Sequence, residues 1–347
     1  MRPPPPWSSC WPEDAEGWGC CGSCEGEGKS SMVSIYIALY LFLAGTGAGA
    51  FLIGAVVDMV LRFRPRAAGG WFARVSAVTD AGLVLGPVLV AVSALFLFLD
   101  LGVPDRVFRL FLASTSSLLS MGAWAILVFC VMATLALVLG SLADGEGGGY
   151  EYELAPGKVV LRVCEFACSL VAMGMALFVV VYSGIFLAMY PSLPFLHTGW
   201  VPVLFVASAL ACGLAALMVT AFFRLASPGM QLATNALLPL DMVFVVVEAL
   251  VLAGFLASCF ASDGPAGTSA QSLMSGNIAP LFWAGVVMMG LVAPFSVDAV
   301  CRRLPAPVAV VLGSACALVG GLCLRMALLM ATERFNLAFM SALGFWN

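Results

Sequence analysis

The sequence predicts an all-α integral membrane protein whose eight transmembrane helices form two four-helix bundles. The first observation is compositional: 62% of the 347 residues are hydrophobic, 10% are charged, and the mean hydropathy is +1.07. Soluble domains are about half apolar and roughly a quarter charged. The second observation is a recurring apolar stretch of about 20 residues, the length that crosses a bilayer as a helix. An ordinary soluble enzyme is therefore excluded, and 15 basic against 19 acidic residues give no basic surface for nucleic acid.

Eight apolar stretches of crossing length follow one another in the sequence. They occupy roughly residues 33–60, 76–99, 118–140, 162–190, 200–222, 236–260, 279–299 and 307–331, each set by the crossing length of about 20 residues. Turn-forming residues separate them, as in Arg64-Pro65-Arg66 after the first stretch. Lipid offers no hydrogen-bond partners, so each stretch must satisfy its own backbone as a helix.

The distribution of Lys and Arg between the loops predicts the orientation of the protein. The loops after helices one, three, five and seven contain nine of them: Arg62, Arg64, Arg66, Arg74, Lys158, Arg162, Arg224, Arg302 and Arg303. The loops after helices two, four and six contain only Arg106 and Arg109. Because positively charged loops stay inside, we expect the first set in the cytoplasm and both termini outside the cell.

The first 31 residues depart from this pattern. They combine a four-proline run with four of the 12 cysteines, a composition typical of a disordered tail. A start codon assigned too early, with Met32 as the real beginning, is the other explanation. A metal or disulfide site at Cys20, Cys21 and Cys24 is a weaker alternative, because no second ligand pair follows at zinc-like spacing. The predicted segments are a tail at 1–31, a membrane domain at 32–335 and a short C-terminal tail at 336–347.

The sequence offers few residues for metal or haem chemistry. His197 is the single histidine, whereas a transmembrane cytochrome needs axial haem ligands, most often histidines. P-loop, zinc-hydrolase and nucleophile-elbow motifs are absent from the sequence. Gly45-Thr46-Gly47-Ala48-Gly49 resembles a dinucleotide fingerprint, but it lies inside an apolar helix, so close helix packing explains it better. We therefore expect no haem and no metal in this protein.

Several charged residues lie inside the apolar stretches, where they are costly and usually face a partner or a pathway. Glu248 in helix six and Arg325 in helix eight are interpreted as a structural ion pair rather than as catalytic groups. Five carboxylates lie near the predicted cytoplasmic helix ends: Asp58, Asp80, Glu165, Asp241 and Asp298. Solvation at the interface explains most of them, and a proton-conducting path through some of them is the alternative.

A second group of polar residues is predicted to gather at the outer face. Its members are Tyr36, Tyr40, Asp100, Asp105, Arg106, Arg109, the Ser/Thr run 114–117, Ser120, Tyr182, Ser183 and His197. Tyrosine, histidine and carboxylate side chains can hydrogen-bond the carbonyl oxygens of a quinone and take up its protons. The ordinary alternative is that tyrosines are common at membrane interfaces and that a loop histidine is merely solvated.

Several motifs together resemble the NrfD-like polysulfide reductase membrane subunits, and also the membrane anchors of dimethyl sulfoxide reductase-type enzymes. The similar segments are YLFLAG at 40–45, GAGAFL at 47–52, LDLGVPDR at 99–106, SMGAW at 120–124, YSG at 182–184, Glu248, Phe282-Trp283 and GGLCLR at 320–325. They follow one another in the family's order. The resemblance covers about residues 33–331, the range of the eight predicted crossings.

The resemblance implies a membrane anchor that belongs to a larger redox complex. The family's usual partners are a four-cluster iron–sulfur subunit and a molybdopterin catalytic subunit. The membrane subunit exchanges electrons with menaquinone or ubiquinone, without haem or metal of its own. The resemblance also implies the cytoplasmic membrane of a bacterium or archaeon.

Within this resemblance, Tyr182 and His197 are the candidate catalytic residues, for hydrogen bonding or proton acceptance. The candidate quinone-binding residues are Tyr36, Tyr40, Asp100, Arg106 and Ser183. Ser183 replaces the family's usual threonine and keeps the hydroxyl. Asp100 and Arg106 are favoured to fix their loop against the iron–sulfur subunit rather than to contact quinone, because the Asp-Leu-Gly-x-Pro turn terminates a helix.

Two other functions stay open from the sequence. A secondary transporter would also have many helices with buried charges, although no convincing repeat relates the first four helices to the last four. A purely structural anchor without a quinone site is the other alternative. A neighbouring gene for a four-cluster ferredoxin-like protein would favour the redox complex over transport, and bound quinone would distinguish a working redox subunit from a passive anchor.

Overall fold

Helices account for nearly all of the described structure, as the composition predicts. The computed structural model describes residues 25–63, 71–101, 118–144, 156–189, 195–223, 228–261, 265–301 and 307–342. Eight helices in these ranges are long and apolar enough to cross a membrane: Ile35–Phe63, Val78–Leu99, Ser120–Ala143, Gly157–Ala188, Trp200–Ala221, Ala236–Ala261, Leu281–Cys301 and Val308–Ala331. Each predicted stretch has its counterpart, so the prediction of eight transmembrane helices is confirmed.

Ten helical segments of the described ranges carry these spans. They are α1 (Glu25–Phe63), α2 (Trp71–Leu101), α3 (Leu118–Asp144), α4 (Pro156–Ala188), α5 (Trp200–Phe223), α6 (Pro228–Ala261), α7 (Pro265–Ser275), α8 (Leu281–Val292), α9 (Ala293–Cys301) and α10 (Pro307–Ala342). The short helix α7 lies between the sixth and seventh spans. Helices α8 and α9 are continuous and together make the seventh span.

Two helices extend beyond the predicted membrane domain. Helix α1 begins at Glu25, inside the predicted tail, and α10 continues to Ala342, past the predicted boundary at 335. The sequence places no proline between Pro12 and the end of α1. Adding a residue to an existing helix is far easier than nucleating one, so both helices continue into polar sequence where no breaker stops them. Residues 1–24 of the predicted tail lie outside the described residues.

Successive spans run in opposite directions, which defines two membrane faces. We name them the Tyr36 face, where the first span begins, and the Arg62 face, where it ends. Counting the spans in order places Tyr182 of α4 near the Tyr36 face. The same count places Asp241 of α6 and Asp298 of α9 toward the Arg62 face.

The first and fifth spans lie at the centre of the bundle. The most apolar parts of these two spans are 78% and 72% buried by protein, whereas the corresponding parts of the other six spans are 22–44% buried. Helix α1 packs on α2, α4 and α5, and α5 packs on α4, α6 and α10 as well. The two halves of the protein therefore share extensive contacts through α1 and α5. The division into two four-helix bundles stays a prediction.

Glycines allow α1 and α5 to approach each other closely. A Cβ at Gly49 would overlap the carbonyl oxygen of Ala209 on α5, and a Cβ at Gly213 would lie 2.5 Å from the Gly49 carbonyl carbon. Gly47 faces α2 instead, where a Cβ would lie 2.9 Å from the carbonyl oxygen of Gly86. The interpretation of the glycine-rich segment of α1 as a helix-packing motif is confirmed.

The seventh span contains a long π-helix. Helix α8 has i→i+5 hydrogen bonding along its 12 residues. Such wide turns change the angular position of every residue that follows. Gly290 of α8 lies in contact with Gly320 of α10, so the widened backbone is closely packed. Helix α9 then carries Asp298 into the interior, where the residue is only 2% exposed.

We expect Gly49→Ala to destabilise the protein by about 1–3 kcal/mol, because the added methyl group must displace backbone rather than a flexible side chain. Gly174→Ala in α4 is the matched control, since a Cβ there meets nothing within 4 Å. The control should be neutral or gain up to about 1 kcal/mol from the better helix propensity of alanine. Thermal unfolding in detergent measures both. Equal effects of the two substitutions would contradict the close α1–α5 packing.

Candidate functional site

Tyr182 lies at the centre of the candidate site near the Tyr36 face. It is 7% exposed, and its ring stacks on Phe178 at 5.8 Å and contacts Phe186 at 6.0 Å between centroids. A Cβ at Gly122 of α3 would lie 2.5 Å from the Tyr182 ring and 2.9 Å from its hydroxyl oxygen. This glycine therefore provides the space that the phenol occupies between α3 and α4.

The two tyrosines of α1 lie one turn apart on the same face of that helix. The phenol of Tyr40 interacts electrostatically with that of Tyr182, so α1 also contributes to this site. Tyr36 lies closer to the membrane surface, with its ring centroid 6.5 Å from that of Phe96 on α2. Tyr40 packs on the buried cluster that contains Val179 and Val180 of α4, near Tyr182, whereas Tyr36 lies at the edge, against α2.

His197 lies in the connection between α4 and α5, with its side chain exposed. Its Nδ1 lies 2.7 Å from the carbonyl oxygen of Ala188, the last residue of α4. A carbonyl only accepts, so Nδ1 must donate, which leaves Nε2 as the acceptor of a neutral imidazole. The six residues from Tyr182 to Ala188 span about 9 Å of helix. His197 therefore caps the end of α4 on the side of Tyr182 and keeps one nitrogen able to accept a proton.

Other predicted site residues are placed differently. The Ser183 hydroxyl donates to the Val180 carbonyl of its own helix at 2.7 Å, so it is committed to α4 rather than offered to a ligand. Asp100 lies at the end of α2 near the Tyr36 face. Arg106 lies outside the described residues. The roles assigned to Asp100 and Arg106 stay predictions.

A buried arginine lies deeper in the bundle. Arg325 of α10 is 2% exposed, and its Nη1 donates to the Ser208 hydroxyl at 3.1 Å and to the Gly321 carbonyl at 2.9 Å. Its guanidinium carbon lies 5.5 Å from the ring centre of Phe42 and 5.4 Å from that of Phe205. These cation–π contacts compensate in part for the water that the buried charge has lost.

Glu248 reaches Arg325 indirectly, through a hydroxyl. Ser208 of α5 accepts a hydrogen bond from Arg325 and donates one to the Glu248 carboxylate. No carboxylate of the described residues lies within ion-pair distance of Arg325, and its Nε and Nη2 have no hydrogen-bond partner there. The predicted ion pair is therefore an indirect one, because α5 packs against both α6 and α10 and places Ser208 between the two charges.

Ion pairs connect α1 to α4 at the Arg62 face. Arg62 Nε donates to Asp58 at 2.7 Å, and its Nη2 donates to Glu165, which also accepts from Arg162 at 3.1 Å. Glu165 is only 6% exposed, so the expectation of interface solvation is wrong for this residue: arginines neutralise it instead. A shallow groove beside these ion pairs, lined by Asp58, Arg62 and Phe166, lies at the face opposite Tyr182 and does not belong to the candidate site.

Asp241 and Asp298 form another contact at the Arg62 side of the bundle. Helices α6 and α9 pack against each other, and the two carboxyl groups share a hydrogen bond. Each residue is 2% exposed. Interface solvation is therefore the wrong explanation for these two carboxylates as well.

Sequence reasoning missed the small residues that complete these sites. Gly122 lies beneath Tyr182, and Ser208 connects Arg325 to its carboxylate. Ser208 and Cys212 are spaced i, i+4 on one face of α5, which is a detectable but weak signal. Small residues are common wherever transmembrane helices pack closely, so only the position of the partner helix identifies their role.

The geometry defines the class first: a multi-pass helical membrane protein. The model of the family described as "Polysulphide reductase, NrfD" matches residues 25–336, so the protein belongs to this family. It is 28% identical over 266 residues to the C subunit of polysulfide reductase from Wolinella succinogenes, covering 74% of its own length and 80% of that protein. It is 27% identical over 306 residues to protein NrfD of Escherichia coli K12, covering 86% of its own length and 93% of that protein. The resemblance found in the sequence motifs is confirmed.

We expect Arg325→Leu to reduce stability by about 3–5 kcal/mol, because removing one partner leaves the other charge buried and uncompensated. Adding Glu248→Gln should restore part of the loss, since the side chain is then neutral. Ser208→Ala should cost less, about 1–3 kcal/mol, the penalty for leaving a buried hydrogen-bonding group unpaired. Yield and thermal unfolding in detergent measure the series. Wild-type stability of Arg325→Leu would show that Arg325 does not compensate Glu248.

Proposed function

We propose that this protein is the quinone-reactive membrane subunit of a molybdopterin and iron–sulfur oxidoreductase. It oxidises quinol, or less often reduces quinone, and exchanges the electrons with a four-cluster iron–sulfur subunit. The observation that carries the proposal is the pairing of Tyr40 with the buried Tyr182, at the same end of α4 as the acceptor Nε2 of His197. Family membership supports it over solute transport, since one relative is a subunit of a polysulfide reductase.

The residues around Tyr182 fit a quinone ring and its oxygens. Phe178 and Phe186 provide apolar ring faces, and Gly122 leaves the phenol room to sit between helices. A phenol can donate a hydrogen bond to a carbonyl oxygen or accept one from a hydroxyl. Menaquinone and ubiquinone both present the oxygens that such a group recognises. Tyr36, at the edge of α1, would flank the ring from the lipid side.

Oxidation of a quinol releases two protons and two electrons, and the membrane subunit must manage the protons. Tyr182 holds one quinol oxygen by a hydrogen bond, while His197 Nε2 accepts the two protons in succession and gives the first to water before it takes the second. Because Nδ1 stays bonded to the Ala188 carbonyl, the imidazole keeps its orientation when it becomes charged. The exposed histidine then exchanges its proton with water at the Tyr36 face. The electrons leave to the nearest cluster of the partner subunit.

The same membrane face would dock the iron–sulfur subunit. Asp100 ends α2 at the Tyr36 face, and Arg106 follows in the next loop. We assign both residues to positioning this loop against the partner, which brings a cluster close to the tyrosine site. The predominance of Lys and Arg in the opposite loops supports an extracytoplasmic Tyr36 face, in the cytoplasmic membrane of a bacterium or archaeon.

We expect Tyr182→Phe to reduce quinol-analogue oxidation by the assembled complex about 100-fold, the usual contribution of a positioned proton-transfer group. The substitution keeps the ring over Gly122 and removes only the hydroxyl, so assembly should be unchanged. Ser141→Ala, at the Arg62 end of α3, is the matched control, because its hydroxyl is bonded to its own helix. Wild-type turnover in an assembled Tyr182→Phe complex would rule out the assignment.

His197 is tested by two substitutions that separate its two roles. His197→Asn keeps a side-chain donor for the Ala188 carbonyl but has no proton-accepting nitrogen, whereas His197→Ala loses both functions. If Nε2 accepts a proton, both variants should lose turnover to a similar extent, about 100-fold. If capping α4 is the whole role, only His197→Ala should be impaired. Turnover and thermal unfolding of the same preparations distinguish these outcomes.

Asp100→Ala should weaken copurification of the iron–sulfur subunit while the membrane subunit stays folded. The reason is that Asp100 sits at the end of α2, where the loop presented to the partner begins. Quinone bound to the purified membrane subunit should be retained, because this residue is not assigned to the ring. Undiminished copurification, or loss of quinone without loss of the partner, would contradict the positioning role.

A further inference from the structure

An acid pair lies far from the tyrosine site, buried between α6 and α9. Helices α6 and α9 pack against each other, the carboxyl groups of Asp241 and Asp298 lie within hydrogen-bonding reach of each other, and each residue is 2% exposed. Asp298 Oδ2 finds no N–H or hydroxyl donor among the described residues. Among the residues that the structure describes, no Lys or Arg lies within ion-pair distance of either carboxyl group.

An ionised carboxylate only accepts hydrogen bonds, so two ionised carboxylates cannot bond to each other. A hydrogen bond between them requires a proton on one of the two. Burial of two unpaired negative charges in contact would also be strongly unfavourable. We propose that Asp241 and Asp298 form a proton-binding site that holds one shared proton between two carboxyl groups. The loaded pair carries one negative charge, and release of the proton leaves two.

Glu165 shows that burial alone does not produce such a site. It lies on the same side of the bundle and is similarly buried, at 6% exposure. Arg62 and Arg162 both donate to its carboxylate, so it is neutralised without a proton. Asp241 and Asp298 lack such a cation in the described structure. Within the described part of the protein, a proton is the group that can compensate the pair.

The π-helix of α8 and a cluster of apolar side chains determine the position and the surroundings of the pair. The π-helical turns of α8 change the angular position of α9, and with it the direction in which Asp298 leaves the helix. Apolar residues including Leu237, Leu238 and Cys301 pack into one buried cluster in this region. No described polar group other than the partner carboxyl is placed to satisfy Asp298 Oδ2.

Among the described side chains, few other charged groups face the pair from the helices packed around it. On α6 the next carboxylate toward the middle of the membrane is Glu248, which lies seven residues after Asp241, about 10 Å along the helix axis. Helix α2 contributes Asp80, which is exposed and has interactions of its own. Helix α10 contributes Arg325, which lies toward the other face with Ser208. The pair therefore sits at the Arg62 side, separated from the proton chemistry proposed for Tyr182.

Carbodiimide labelling of the full-length protein in its native membrane tests the proposal, because dicyclohexylcarbodiimide modifies protonated carboxyl groups in apolar surroundings. At neutral pH we expect an adduct on Asp241 or Asp298, mapped by mass spectrometry. Glu165 is the matched control and should stay unmodified, since arginines keep it ionised. Absence of any adduct on both aspartates would overturn the proposal. This arm needs no variant.

Asp298→Asn provides the second arm. Asparagine has the size of aspartate, and an asparagine beside one ionised aspartate carries the same single negative charge as the protonated pair. The fold should therefore be retained. Its amide can donate to the Asp241 carboxylate, which then needs no proton, and labelling of Asp241 should be lost. Asp241→Asn should abolish labelling of Asp298 in the same way. Wild-type labelling of the remaining aspartate in either folded variant would overturn the proposal, whatever the quinol activity of the complex.

Discussion

The close contact between α1 and α5 is the constraint on which the rest of the bundle depends. Gly49 and Gly213 bring the two backbones together, and no larger residue fits there without moving a helix. From this contact, α5 presents Ser208 to the arginine of α10. On its side facing α4, helix α1 places Tyr40 near Tyr182. The close glycine contact between α1 and α5 thus sets the positions of both the Tyr182 site and the Arg325–Ser208 site.

The interior of the bundle compensates its buried charges in three different ways. Glu165 receives hydrogen bonds from two arginines, and Glu248 is connected to one arginine through a serine hydroxyl. The proposed pair of Asp241 and Asp298 relies on a proton. Lipid supplies no donor for any of these groups, so each depends on what the neighbouring helix carries at the same depth. The ionic state of each carboxylate therefore follows from helix packing rather than from its distance to the membrane surface.

The sequence predicts the spans correctly because crossing length and apolar composition are local properties. Asp298 shows the limit of this reasoning. Its position near the end of a span suggested solvation, but the π-helix of α8 changes the direction in which the residue leaves the helix, and it is buried. No local sequence pattern predicts a π-helix there. The sequence associates Glu248 with Arg325 correctly. The role of Ser208 between them could not be predicted, because it depends on how deep α5 places that residue. The motif around Tyr182 predicts a site there, which stays a prediction, whereas Gly122 beneath its ring could be found only from the fold.

The two proposed proton sites lie on different helices and at opposite sides of the bundle. Between them, the described charged side chains are Glu248 and Arg325, which Ser208 connects. A guanidinium cannot give up its proton in a protein, so Arg325 cannot pass one along. The series of protonatable groups is interrupted at that residue, which argues against one continuous proton path through the described interior. Each site therefore exchanges protons with its own face, and a substitution at one should leave the protonation of the other unchanged.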